Sequence, residues 1–328
     1  MSVIICAKNE ATNLNSLLPK LSEQEFKSFE VILIDDASND NTLSTMFSFQ
    51  KFHKNAEFDV KVIAIDPEDS KGKKAALTKG IAEARYEHIL LTDADCQPSS
   101  KLWISHMTHS FSKDISLVLG YGAYEKRKNS FLNKLIRFET MLTALQYFSY
   151  ALDGKAYMGV GRNLAYKKSI FLSAGGFENH SHVRSGDDDL FISQVADSRN
   201  VAVCDHQDSF TISKADNKFT DWIHQKQRHI TTSSHYKAST KLMLGLFYLS
   251  QFSFYTLIFL AFITTTQLAY FIPLIILRFL VWYVTINRTS NRLKEKDLTA
   301  FGPLYEISII FIQLYIFFKN IISPPKHW

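Results

Sequence analysis

A chain of 328 residues is long enough for one large domain with added elements, or for two domains. Its formal net charge of +5 sits at the end: from residue 241 onward there are eight Lys/Arg and three Asp/Glu, which leaves 29 of each sign in residues 1–240. That neutral portion excludes the basic footprint of a nucleic-acid binder, and three cysteines (Cys6, Cys96, Cys204) without metal-ligand or redox spacing point to a reducing, cytosolic setting.

Met1 stands almost against the first apolar run, "SVIICA" (2–7), with no signal-peptide pattern before it; so tight a start predicts residues upstream in relatives or in the native reading frame. The strand expected there is followed by a helix with Leu14, Leu17, Leu18 and Leu21 on one face. "EVILID" (30–35) predicts a second strand, then a helix near 40–53 whose start, "SNDNT", offers several N-caps. "VKVIAID" (60–66) predicts a third strand, residues 73–84 a short helix, and "HILLTD" (88–93) a fourth strand. This alternation predicts an α/β fold, a mostly parallel sheet with helices on both faces. The strands are near-continuous apolar runs, as strands buried on both sides are.

After residue 115 the pattern is mixed. "ISLVLGYGAY" (115–124) predicts a strand, and 131–151 a long aromatic-rich helix that suits a core, a membrane surface or a cover over an acceptor site. Residues 157–166 form a glycine-interrupted strand or loop, "GGF" (175–177) breaks the next helix, and 185–198 starts another. His180, His182, His206 and His235 have no regular ligand spacing and are read as surface or loop residues.

Between Lys241 and Arg278 lie 36 residues without a formal charge. A spanning helix needs about 20 apolar residues. Spans are expected at about 242–263 and 267–286, with "TTTQ" (264–267) as the turn. Arg278 inside the second is costly unless it pairs or snorkels. A third segment, 304–322, spans or lies in the interface. The loop 287–300 carries four basic and two acidic residues, and short Lys/Arg-rich loops stay cytoplasmic. Two spans before that loop put residues 1–240 on the same, cytosolic face of what is expected to be a bacterial inner membrane.

Four stretches carry chemistry. Asp35 and Asp36 end the second strand, Asp93 and Asp95 end the fourth, Asp187, Asp188 and Asp189 open a helix, and Gln225, Arg228 and His229 precede the membrane segment. In a parallel sheet the carboxyl ends of strands share one edge, so the first two pairs meet in one crevice. Two carboxylates there repel unless a cation stands between them.

The motifs "CAKNEATNL" (6–14), "VILIDDASNDNT" (31–42), "GKKAAL" (72–77), "TDADCQP" (92–98), "GRNLAY" (161–166) with "GGF" (175–177), "GDDDLF" (186–191) and "QKQRH" (225–229) occur in one order. In that order the chain resembles a family 2 glycosyltransferase of the GT-A fold, in a membrane-attached form. The resemblance covers about 2–236. It implies a domain of residues 1–240, with a nucleotide-binding half at about 1–100 and an acceptor half at about 101–240, followed by a membrane domain at 241–328.

The resemblance also implies roles. Ala7, Asn9, Glu10, Asp35, Asp36, Lys73 and Asp93 would face the nucleotide, Asp36 accepting a hydrogen bond from the base. Asp95, with Asp93, would hold a divalent cation, Mg²⁺ or Mn²⁺, against the diphosphate; such ions prefer oxygen ligands. Asp187 would be the catalytic base if Leu190 closes the motif, and a one-residue slip makes it Asp188. Arg162, Asn163, Gln225, Arg228 and His229 would face the acceptor or diphosphate. His229 replaces the Trp that stacks on the growing sugar chain in membrane polysaccharide synthases, which favours single-sugar transfer. The implied function is a metal-dependent inverting glycosyltransferase at a membrane. Its partners would be a nucleotide-diphosphate sugar, with a UDP-sugar expected, a lipid-linked or saccharide acceptor, and membrane lipids. The alternatives are a processive polysaccharide synthase and a non-catalytic sugar-nucleotide-binding subunit.

Overall fold

The apolar runs at the start of the chain become β1 (Ser2–Ala7), β2 (Glu30–Asp36), β3 (Asp59–Ile65) and β4 (His88–Leu91), joined by helices α1 (Ala11–Ser22), α2 (Thr42–Phe52) and α3 (Lys73–Ala82). The computed structural model describes residues 1–54, 58–183, 185–264 and 268–323. β1 pairs in parallel with β2 from Ser2↔Glu30 to Ala7↔Asp35, and with β4 from Ser2↔Ile89 to Ile4↔Leu91. β2 pairs in parallel with β3 out to Asp36↔Ile65. This register brings the carboxyl ends of the strands to one edge, so the acidic residues that follow β2 and β4 share that edge.

After β4 come β5 (Gln97–Pro98), α4 (Trp103–His109), β6 (Leu117–Gly120) and β7 (Gly122–Tyr124). The single strand expected over 115–124 is thus two, and they lie in different sheets. Gly120 marks the break, because a Cβ there would stand 2.5 Å from the side chain of Asn163. Farther on are α5 (Phe131–Leu152), β8 (Leu164–Lys167), α6 (Lys168–Ser173), α7 (Asp189–Val195), β9 (Val201–Cys204) and β10 (Thr211–Ser213). The main sheet has seven strands in the order β3-β2-β1-β4-β8-β6-β9. β8 runs antiparallel to both of its neighbours, which makes the sheet mixed but mostly parallel. A second, three-stranded sheet has the order β5-β10-β7.

One core cluster packs Leu14, Leu17, Leu18 and Leu21 of α1 with Val3, Ile5, Val31 and Leu33 of the sheet and Trp103 and Met107 of α4. Each such side chain contributes about 1.5–3 kcal/mol on burial. On the other face α3 approaches closely, since a Cβ on Gly80 would meet Ile34 at 2.4 Å.

The chain divides by packing into two compact units, Met1–Glu125 with Gln146–Ala215, and Lys126–Leu145 with Asp216–Trp328. Residues 126–145 thus group with 216–328, which include the apolar helices. The physical reason lies within the second unit. Arg137 is 1% exposed and pairs with Glu295 and, at 2.7 Å, with Asp297. Lys126 reaches Asp297 at 2.8 Å, and Lys226 reaches Glu139 at 2.6 Å.

Also in the second unit are α8 (Phe219–Ser233), α9 (Ala238–Thr264), α10 (Ile272–Arg292) and α11 (Gly302–Ile322). The last three are long and apolar enough to cross a membrane. The turn expected at "TTTQ" lies outside the described residues apart from Thr264. Arg278 is paired as its cost requires: its Nη2 donates to Glu306 Oε1 at 3.0 Å. Glu306 also accepts from Gln251 at 3.0 Å and Tyr255 at 2.5 Å, so one carboxylate joins all three helices.

Removing one partner of a buried ion pair costs about 3–5 kcal/mol, because the other charge is left uncompensated. Arg137→Ala takes the near partner from Glu295, which is 2% exposed and keeps Lys126 at 3.7 Å. The expected outcome is a loss of that size in thermal unfolding of the detergent-purified chain; an unchanged midpoint would show the pair to be dispensable.

Candidate active site

α3 begins at Gly72, whose φ of +86° is open to glycine and strained for other residues. The next residue, Lys73, points at two carboxylates. Its Nζ lies 2.8 Å from Asp93 Oδ1 and 3.0 Å from Asp187 Oδ2. Burial works against the lysine's charge, but Asp187 and Asp93 more than offset it and raise its pKa well above the ordinary value. For Asp187, burial pushes the pKa up and Lys73 pulls it down; the lysine wins and the carboxyl is held ionised. Two carboxylates far apart in the chain, Asp93 and Asp187, are thus joined through one ammonium.

Asp187 is reached through Gly186, at φ +95°, where a Cβ would stand 2.5 Å from the Leu190 side chain. Asp188 is the N-cap of α7: its Oδ1 accepts from Asp189 N at 2.8 Å and its Oδ2 from Gly161 N at 2.8 Å. Burial, then the neighbouring Asp187 and Asp189, raise its pKa. The three aspartates therefore differ. Asp187 faces Lys73, Asp188 is spent on backbone donors, and Asp189 caps its own helix through Leu190 N at 2.7 Å. Gly161 forms the wall between them, since a Cβ there would lie 3.4 Å from Lys73 Nζ and 3.6 Å from oxygens of both Asp187 and Asp188.

Asp93 and Asp95 lie on the same edge, with Cys96, and their ligand atoms are within 4.8 Å of one another. Burial and then Asp93 raise the pKa of Asp95. The Cys96 thiol is pushed well up by burial and lies 3.3 Å from Asp95 Oδ1, so it acts as a donor to the carboxylate. That leaves carboxylate oxygens as the donor set, which suits a hard divalent cation.

At the end of β2, Asp36 Oδ1 accepts from Ser70 Oγ at 2.7 Å. Asp35 Oδ2 accepts from Ser38 N at 3.2 Å, while its buried Oδ1 has no hydrogen-bond partner among the described residues. Asn9, at φ 60°, links the loops after β1 and β2: its N donates to Ser38 Oγ at 2.9 Å and its Oδ1 accepts from Asn39 N at 2.8 Å. Glu10 N donates to Thr42 Oγ1 at 2.8 Å, and burial raises the Glu10 pKa, with Asp95 and Asp93 adding to it. Ala7 is the last residue of β1, opposite Asp35.

The matching model is that of glycosyl transferase family 2, over residues 2–173, just over half of the chain. The chain belongs to glycosyl transferase family 2. It is similar to the poly-beta-1,6-N-acetyl-D-glucosamine synthase of Staphylococcus epidermidis, with 29% identity over 178 residues, 53% of this chain and 41% of that protein. The same-named protein of Staphylococcus aureus (strain COL) is 26% identical over 178 residues with the same shares. The match spans about two fifths of the length of these curated relatives. Among solved structures, a mannosyltransferase from Pyrobaculum calidifontis, in complex with GDP-Man and Mn²⁺, matches with a TM-score of 0.59 and 16% identity, covering 98% of this chain and 86% of that one. That likeness is one of fold.

Within this family 2 fold, the residues implied for the nucleotide and metal gather on one edge of the main sheet, and Asp187 joins them through Lys73. Two others, Arg162 and Asn163, also make internal contacts. Arg162 donates to Ser213 Oγ and Gly122 O at 2.9 Å each and lies over the Tyr124 ring at 4.4 Å, which holds it on the small sheet, and its charge acts on Asp95 and Asp93. Asn163 is fully buried. It accepts from Trp103 Nε1 at 3.0 Å and donates to the carbonyls of Tyr121 at 3.0 Å and Ser209 at 2.7 Å. Those bonds occupy its side-chain amide and tie α4 to the segments around Tyr121 and Ser209. Gln225, Arg228 and His229 stand on α8, in the second unit. His180, read as a surface or loop residue, ends the short turn Glu178–His180 and is 6% exposed, so it is a buried turn residue. Gly161 lay inside a quoted motif, but its closeness to two distant aspartates has no local signal.

Asn163→Ala removes the partner of the Trp103 indole and one donor from each of the Tyr121 and Ser209 carbonyls, of which Tyr121 O keeps Thr211 N at 3.2 Å; a buried polar group left unpaired costs about 1–3 kcal/mol. The expected result is a large drop in thermal stability with nucleotide affinity retained by the folded fraction. Lost affinity at unchanged stability would restore a ligand role.

Proposed function

We propose that this chain is a membrane-anchored inverting glycosyltransferase that takes a sugar from a nucleotide-diphosphate donor, with a UDP-sugar as the donor class, to a lipid-linked or saccharide acceptor. The observation that carries the reading is the Lys73 bridge, which sets a donor-side carboxylate, Asp93, and an ionised acceptor-side carboxylate, Asp187, on one ammonium. The relatives named as synthases of an N-acetylglucosamine polymer make UDP-N-acetylglucosamine the first donor to test.

In this proposal Asp35 and Asp36 hold the base and ribose, the unpartnered Asp35 Oδ1 offering an acceptor. Asp95, with Asp93 beside it, would hold the divalent cation. When bound, that cation supplies positive charge that stabilises the leaving diphosphate. As the diphosphate draws Lys73 toward itself, Asp187 loses its counterion while staying buried, and its basicity rises. Asp187 takes the proton of the acceptor hydroxyl, the hydroxyl oxygen bonds to the anomeric carbon, and the bond from that carbon to the diphosphate oxygen breaks, releasing the nucleoside diphosphate. Attack opposite the leaving group inverts the anomeric centre.

The proposed anchor is α9 and α10, with α11 spanning or lying in the interface and residues 1–240 on the cytosolic face; the basic loop 287–300 supports that orientation. The part proposed for Gln225, Arg228 and His229 at the diphosphate and acceptor rests on the resemblance alone. A processive synthase is the second reading, favoured by the names of the curated relatives. His229 in place of Trp favours single transfer, and product length separates the two.

General-base catalysis contributes about 10²–10⁴-fold. Asp187→Asn is therefore expected to bind UDP with unchanged affinity and to lose transfer by that factor. Asp188→Asn, which keeps a capping oxygen, is expected to stay within about tenfold of wild type. Retained transfer in the first variant with loss in the second would move the base to Asp188.

A further inference from the structure

The lysine after Lys73 is the less usual of the pair. Lys74 is 9% exposed, and lysine is rarely so buried unless paired. Its Nζ donates to two main-chain carbonyls, His180 O at 2.8 Å and Val183 O at 2.9 Å. Burial lowers its pKa, and the charges of Asp187, Asp189 and Asp188 act the other way. Both carbonyls belong to the segment that leads from the short turn Glu178–His180 into Asp187. Val183 is four residues before Asp187, and Gly186 lies between them.

Successive residues on a helix point about 100° apart. Lys73 and Lys74 use that divergence on one target: the first meets the carboxylate of Asp187, the second holds the backbone that delivers it. An ammonium has three donors, and Lys74 places two of them on carbonyls that would otherwise be free to move with the loop. Burying a charged amine is costly unless it is hydrogen-bonded, and an apolar side chain would fill the same space without that cost. The hydrogen bonds are therefore the feature to explain.

We infer that Lys74 is a positioning residue for the transfer reaction, clamping the carbonyls of His180 and Val183 so that Asp187 stands at the reacting hydroxyl. This rests on the role proposed above for Asp187. Misplacement by about 1 Å costs up to about 100-fold in rate, while donor binding, made elsewhere on the sheet edge, is left alone.

The test uses the full chain in detergent with Mn²⁺, following UDP release from UDP-N-acetylglucosamine and amide hydrogen exchange in parallel. Lys74→Met is expected to lower kcat by about 100-fold with the donor KM within about threefold. Exchange at the amides of 181–183 and 186–188 should speed by about tenfold, with those of β1 and β2 unchanged. Lys74→Arg, which still offers donors to both carbonyls, should recover kcat to within about fivefold of wild type. Wild-type kcat in Lys74→Met, or unaltered exchange over that loop, overturns the inference, as does a Lys74→Arg variant as slow as Lys74→Met. If the β1 and β2 amides of Lys74→Met also exchange freely, the variant has not folded and Lys74→Gln is read in its place by the same criteria. Failure of the wild type to release UDP from any sugar nucleotide overturns the proposed function instead, and the exchange data still decide whether Lys74 holds the loop.

Discussion

The ammonium of Lys73 is the point on which the site turns. Asp93 comes from the strand edge that would hold the donor, and Asp187 from a loop far along the chain. Two carboxylates brought together repel, and each would rather take up a proton than stay charged in a partly buried place. A shared lysine removes that conflict and keeps Asp187 ionised. It also makes the arrangement responsive, because a diphosphate is a stronger attraction for an ammonium than a single carboxylate is. Under the proposed function, Asp187 is quenched in the resting state and is uncovered as a base when the donor arrives.

The apolar helices solve a related problem by a different route. Glu306 is 1% exposed and sits among side chains otherwise fit for hydrocarbon. An isolated charge there would be untenable. Arg278, Gln251 and Tyr255 all donate to it, so the cost of the charge becomes a link joining α9, α10 and α11. Nearer the polar part of the same unit, Arg137 with Glu295 and Asp297 repeats the pattern.

Much of this was legible in the sequence, for reasons tied to particular residues. "SVIICA" and "EVILID" are near-continuous apolar runs and become strands buried on both faces, whereas "VKVIAID" carries Lys61 and becomes the half-exposed edge strand β3. The lone charge of Arg278 in an uncharged stretch required a partner, and Glu306 is that partner. Asp187 and Asp188 were alternatives in the sequence, and the structure gives them different partners, Lys73 for the first and backbone donors for the second. What the sequence could not show depends on contacts across long separations. Asn163 carries the same letters whether it meets a ligand or ties Trp103 to Tyr121 and Ser209. Residues 126–145 resemble any amphipathic helix until Arg137 finds Glu295. Lys74 looks like a second surface lysine until its carbonyl partners appear.

The most direct measurement is calorimetry of UDP binding to the detergent-purified chain, with and without Mn²⁺, beside GDP and beside Asp95→Ala. A metal-assisted nucleotide site on the sheet edge predicts UDP binding that strengthens with Mn²⁺ and loses that dependence in Asp95→Ala. Binding of neither nucleotide by a folded sample, or metal dependence unchanged in the variant, would contradict it.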